Sequence, residues 1–251
     1  MSRCVPGLSC WIVSAALLCL PLAPAPAFAA TSTSIAITFA ELPIHLVRET
    51  GMYSASRGTA LQADDLLDSG KATIQLDLAG STLALGPDSQ LFIRSAGELV
   101  LLKGWLKVRG AIDRGPRLST SGIRFDSTGA TVTLHAAPGV SELFAESSDL
   151  PVTELAGDKA QRAGKVPREQ FGVKNGTAPL KLTAHPPKEF LAGMPRAFLD
   201  ALVPVPMKGQ AQPPKRERRA TFAEVASWLA EQPALRRQVQ RRFTPTMPAP
   251  G

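Results

Sequence analysis

Three small groups of side chains in this chain are able to do chemistry. Asp64, Asp65 and Asp68 form the densest carboxylate cluster. Two carboxylates held apart across a cleft are the machinery of glycoside hydrolysis, and clustered carboxylates can also cage calcium. The alternating ligand positions of a calcium loop are missing, which speaks against calcium, and a glycan hydrolase using this cluster is the least favoured functional reading. An Asp-rich stretch running into Ser69-Gly70 instead has the composition of a turn that caps its own backbone, and that is the expected role. His45, His135 and His185 are scattered, with no His-x-x-x-His pair and no Cys/His cluster, so a metal centre is not expected. Arg236, Arg237, Arg241 and Arg242 are the third group. Each basic group near a charged surface adds about 1 kcal/mol of attraction to anionic lipid or glycan. Their alternative is a solvated helix face.

A nucleophile is harder to find. No Gly-x-Ser-x-Gly elbow and no Ser-x-x-Lys occurs, and Gly80 to Gly86 is too sparse for a phosphate-cradling loop. All three cysteines, Cys4, Cys10 and Cys19, fall in the first thirty residues. The rest of the chain therefore has no disulfide, thiolate metal site or cysteine nucleophile. The expectation is a protein that is not an enzyme and holds no cofactor. Trp105 and Tyr53 can form an aromatic platform for a sugar ring, but a lone Trp in an alternating strand is more often core.

The elements that would position these groups are strands. From Ile35 to Leu155 the apolar residues recur with period two: Ile74, Leu76 and Leu78, then Leu83 and Leu85, Leu91 and Ile93, Leu106 and Val108, Val132 and Leu134. Such alternation turns one face of each strand to a core and the other to water. Asp68-Ser69-Gly70, Ala79-Gly80-Ser81, Gly86-Pro87-Asp88-Ser89 and Pro138-Gly139 punctuate the run with turn chemistry. That rhythm predicts a mainly β domain over 30–155, a β-sandwich or short β-solenoid of many short strands. Residues 156–188 read as an extended linker in which Val173, Leu180 and Leu182 can add one edge strand. Residues 189–251 read as a Pro/Arg-rich segment with short helices. Phe190 to Leu202 has helical spacing limited by Pro195, and Val203 to Arg219 is expected to be mobile. Thr221-Phe222-Ala223-Glu224 is a capping box, and Pro233 suits the first turn of a last helix carrying Leu235, Val239 and Phe243 on one stripe.

Residues 1–29 combine Arg3, an apolar run from Cys10 to Leu22 and the small-residue site Ala27-Phe28-Ala29, the pattern of a secretory signal peptide cleaved near Ala29. The apolar run is short for a membrane span, and Pro21, Pro24 and Pro26 interrupt it, so the mature chain is expected in the periplasm with no transmembrane span. Charge is unevenly placed. Ten Lys/Arg face fourteen Asp/Glu between Ala30 and Leu155, whereas seventeen face seven from Ala156 to Gly251. A basic second half outside the cytoplasm points to anionic glycan or lipid as partner, not to nucleic acid.

Leu61-Gln62-Ala63-Asp64-Asp65-Leu66-Leu67-Asp68-Ser69-Gly70, Ala72 to Leu78, Leu83-Ala84-Leu85-Gly86-Pro87-Asp88-Ser89 and Gly97 to Val108 resemble, in order and spacing, the FecR-type extracytoplasmic domain. The likeness runs over roughly 53–140, about a third of the chain. Two turns depart from that family's pattern, which has Gly-Asp at Asp64-Asp65 and Asp-Gly at Ala79-Gly80. Signalling members place a cytoplasmic anti-sigma domain and a membrane span ahead of this domain, where this chain has the signal-peptide pattern. The resemblance implies the β fold and the compartment. The expected function is a free-standing, non-enzymatic binding or scaffold protein contacting an envelope partner, either a protein or an anionic glycan or lipid. The alternative is a sensory partner that relays signals through a receptor's periplasmic domain.

Overall fold

The computed structural model describes residues 35–244 except 158 and 208, so residues 1–29, expected to be a signal peptide, lie outside the described residues. Strands take 48% of the described residues against 12% helix, and the fold is mainly β. The first strands are β1 (Ile35–Ala40), β2 (Ile44–Arg48), β3 (Gly51–Ala55), β4 (Ala60–Leu61), β5 (Leu66–Asp68) and β6 (Ile74–Leu78). The middle set is β7 (Ser81–Leu85), β8 (Gln90–Ser95), β9 (Glu98–Arg109), β10 (Arg117–Ser119), β11 (Ile123–Asp126) and β12 (Thr131–Ala137). The last are β13 (Val140–Ala145), β14 (Leu150–Ala156), β15 (Lys159–Val166), β16 (Phe171–Asn175), β17 (Lys181–Thr183) and β18 (Lys215–Arg219). Helices α1 (Lys188–Gly193), α2 (Phe222–Ala226) and α3 (Pro233–Phe243) and a 3-10 turn over Arg196–Phe198 complete the described chain.

Two runs of strands face each other. Sheet A has the order β4-β1-β6-β7-β9-β12-β13-β16-β17. Sheet B has the order β18-β3-β2-β5-β8-β9-β10-β11-β14-β15. The long strand β9 belongs to both. Its first half pairs with β8 and, in parallel, with β10; its second half pairs with β7 and β12. The change of sheet happens at Gly104, whose φ of +87° only glycine adopts without strain. A Cβ there would also lie 2.6 Å from the Ser89 Cα. The result is a curled, mainly antiparallel sheet folded over into a sandwich. The period-two residues Ile74, Leu76, Leu83, Leu91, Leu106, Val132 and Leu134 meet in one core between the two sheets.

The C-terminal third packs on the sandwich. It covers both outer faces of the sandwich. Residues 188–205 lie across sheet A, with Phe198 and Leu202 packed on Ala84, Trp105 and Met194. Sheet register sets Gln75, Ala84, Lys107 and Thr133 in one row across β6, β7, β9 and β12. Two of these residues hold the strap by its main chain. The Lys107 ammonium donates to the carbonyls of Phe198 (2.7 Å) and Asp200 (3.1 Å), and it pairs with Glu146 at 3.0 Å. The Gln75 amide donates to the Val203 carbonyl at 2.8 Å and accepts from the Val205 N–H at 3.1 Å. On sheet B, Val225, Leu229, Leu235 and Val239 of the helical pair bury against Val47, Met52, Leu66, Phe92 and Val100, with Trp228 packed beside them. Helices of five and eleven residues are marginal alone in water. Burial of such side chains, each contributing about 1.5–3 kcal/mol, is what holds them.

Three sequence expectations read differently in the structure. The segment 156–188 carries β15, β16 and β17, where a linker with one edge strand was expected. Val203 to Arg219, expected mobile, ends in β18, paired antiparallel with β3. Phe190 to Leu202 is two pieces, α1 and the 3-10 turn, divided by Pro195. The first two differences share one reason. Every residue of β18 and seven of eight in β15 are exposed, so main-chain pairing holds these edge strands and no buried side chain leaves an alternating signature.

Candidate functional site

The aspartate cluster is taken apart by the fold. Asp65 is fully buried, and its carboxylate receives a two-pronged bond from Arg48, Nε to Oδ1 at 2.8 Å and Nη2 to Oδ2 at 2.7 Å, plus the Gln62 N–H at 2.9 Å. Asp64, with φ +73°, faces α3 instead and takes Arg242 at 2.7 Å and the Gln238 amide at 3.1 Å. Asp68 accepts the Gly70 N–H at 2.8 Å and the Gln90 amide at 3.1 Å. Each carboxylate serves a separate structural contact. Asp68 caps its turn as expected from composition, whereas Asp65 departs from the expected solvated turn by lying in the interior.

The histidines stay apart, on β2, on β12 and after β17. Among the described residues no trio of His, Cys, Asp or Glu converges on a point that could hold a metal ion. Tyr53 packs against the core between the sheets, while Trp105 lies half-buried on the outer face of sheet A. They do not form one platform. The Trp105 indole stacks on His135, with ring centres 4.2 Å apart, and meets Phe190 at 4.9 Å.

The four arginines divide as well. Arg242 is a clamp: it pairs with Asp64, donates to the Asp64 carbonyl at 2.8 Å and lies over the Phe92 ring at 5.9 Å. It is withdrawn from the expected binding set, because these contacts leave it largely buried on sheet B. Arg236, Arg237 and Arg241 remain exposed. Arg236 leans over Phe222 at 6.0 Å, and Arg237, Gln240, Arg241 and Thr244 line a shallow hollow on α3.

Spacing alone did not show that this surface continues beyond α3. Strand β18, Lys215-Arg216-Glu217-Arg218-Arg219, is exposed throughout and leads directly through Ala220 and Thr221 to Phe222, the ring under Arg236. A basic band thus runs from the edge of sheet B onto α3. Its local signal was the charge run itself, which composition assigned to a mobile segment. The band is organised at its middle by Glu224. The Thr221 N–H donates to its carboxylate at 2.7 Å and the Thr221 hydroxyl at 2.9 Å, while Arg218 reaches it at 2.6 Å. These contacts, the Arg218 bond foremost, hold Glu224 down at about 2, against 4.5 for the free side chain. A carboxyl lowered on folding lends stability that is complete above its unfolded value and is lost as pH falls toward the folded one. The tie between β18 and α2 should therefore loosen between about pH 4.5 and pH 2. A carboxyl NMR titration, with Trp228 fluorescence following the helix, reads this directly. A Glu224 midpoint near 4.5 would show that the tie does not form in solution.

No protein-family model and no curated protein matches the chain. Two crystal structures of a candidate anti-sigma factor from Parabacteroides distasonis ATCC 8503 are similar in part, at 10% identity and a TM-score of 0.39. The match covers 50% of this chain and 59% of that one, less than two thirds of its length.

Proposed function

We propose that this is an exported, non-enzymatic binding or scaffold protein that docks on anionic polymer or lipid of the cell envelope through β18 and α3. The observation that carries the reading is the continuity of the band. Arg216 and Arg219 are exposed on β18, which is fixed by main-chain pairing with β3, and Arg237 and Arg241 are exposed on α3, which is fixed by core burial. Backbone that is already ordered is not ordered again on binding, which favours association with a diffuse polyanion. The export pattern and the FecR-type resemblance support the compartment. The aspartates that a hydrolase would need are committed to Arg48, Arg242 and a turn, which supports a role without turnover.

The test is retention of the mature chain on phosphatidylglycerol vesicles and on a sulfated-glycan matrix, at low and high salt. Reversing Arg216, Arg219, Arg237 and Arg241 to Glu should lower retention on the order of a hundredfold or more, at about 1 kcal/mol per charge. Wild-type retention should itself fall with salt. Equal retention of the variant, or capture of one membrane receptor with no affinity for either surface, would replace this reading with the signalling one.

A further inference from the structure

A second concave feature lies on the other side of the sandwich, away from the basic band. Register places Trp105, His135 and Glu142 opposite one another on β9, β12 and β13, so three neighbouring strands present them in a row on the outer face of sheet A. The row is rigid. Trp105 and His135 stack with 26° between their planes, and Glu142 holds the His135 Nδ1 at 2.7 Å. With Nδ1 engaged, Nε2 is on the far side of the imidazole ring from Glu142. A cleft of about 370 Å³ lies over this row, walled by the Pro87-Asp88 turn, the Ala136–Pro138 turn and the strap at Gly193 and Pro195. That volume sits at the small end of the roughly 300–1,000 Å³ usual for ligand pockets. Gly193 brings the strap close to the indole, since a Cβ there would stand 3.4 Å from Trp105 Cζ2.

The chemistry of the lining is mixed in a particular way. The walls are rings: Pro87, Pro138, Pro195 and the Trp105 indole. The polar groups are of both signs: Lys103 is exposed, and Asp88, also exposed, is paired at 2.9 Å with Lys71. A ligand that fits must lay C–H surface against rings, offer hydroxyls to a carboxylate and present an anion to an ammonium. We infer that the cleft is a subsite for an acidic sugar, its ring against the proline and indole walls, its carboxylate on Lys103 and its hydroxyls on Asp88. A charge-assisted bond from Lys103 then distinguishes an acidic sugar from its neutral counterpart. A site of this kind belongs to the binding class of function and asks for no nucleophile.

The experiment is calorimetric titration of the mature chain with tri-galacturonate, and with galactotriose as the neutral counterpart. The acidic trimer should bind at least about tenfold more tightly than the neutral one, the equivalent of one good charged contact. Lys103→Ser, at an exposed position where the fold is not at stake, should remove that preference. The variant with Glu at positions 216, 219, 237 and 241 should keep it, which separates this site from the basic band. Equal affinity for both trimers would overturn the assignment. So would an unchanged preference in Lys103→Ser, its loss in the band variant alone, or no binding of the acidic trimer by the wild type.

Discussion

Asp65→Ala should cost about 3–5 kcal/mol of folding stability, the range for removing one partner from a buried ion pair. Asp65 is fully buried, and it alone receives both prongs of Arg48 and the Gln62 N–H. Arg48 ends β2 and also donates to the Ala60 carbonyl at 3.0 Å, so the carboxylate ties the end of sheet B to the turn that leads into β5. Without it the guanidinium, its side chain only 17% exposed, keeps its charge but loses its counter-ion. Asp65→Asn should cost less, because the amide oxygen still accepts one of these bonds. Urea denaturation followed by fluorescence measures both. A loss below about 1 kcal/mol in the Ala variant would mean that the pair is hydrated, and would return Asp65 to the list of groups free to do chemistry.

The second large effect concerns a buried pair that joins the two sheets at their far end. Lys174 on β16 of sheet A and Glu154 on β14 of sheet B lie 3.4 Å apart, with side chains 1% and 7% exposed. Other bonds complete the arrangement. Lys174 donates to the Ala178 carbonyl and Glu154 accepts the Leu180 N–H at 3.0 Å, so the pair also fixes the loop between β16 and β17. Either single change, Lys174→Met or Glu154→Leu, strands one buried charge and should cost about 3–5 kcal/mol. The double variant buries two apolar side chains of similar volume and strands neither. It should be more stable than the worse single variant, giving a coupling of about 1–3 kcal/mol in a double-mutant cycle. Additive losses would show that the two groups act independently, Lys174 through Ala178 and Glu154 through Leu180.

Neither pair was legible beforehand, and the reason is physical. Asp65 stood out as part of a cluster, but its partner is seventeen positions away and nothing local announces it. Asp64 and Arg242 are separated by 178 positions. The four arginines formed one group by sequence, yet only Arg242 faces Phe92 and Asp64, since that depends on which side of α3 lies against sheet B. The basic strand β18 was visible as a charge run. Its conversion from a mobile run to an ordered band is made by main-chain bonds to β3, which carry no side-chain signature.

What the amino-acid sequence determined by itself is the local grammar. Alternation marked β6, β7, β8, β9 and β12 and the side chains they would bury, turn residues marked where the chain reverses, and Thr221 and Pro233 marked two helix starts. These follow from period, sterics and capping, all settled within a few residues. Tertiary structure decided which strand joins which sheet, that β9 serves both by bending at Gly104, and that the C-terminal third wraps both faces. Alternation says that a face is buried but not against what, because any apolar surface satisfies it. The partner is chosen only when the whole chain closes one core and each remaining buried charge finds its counter-ion.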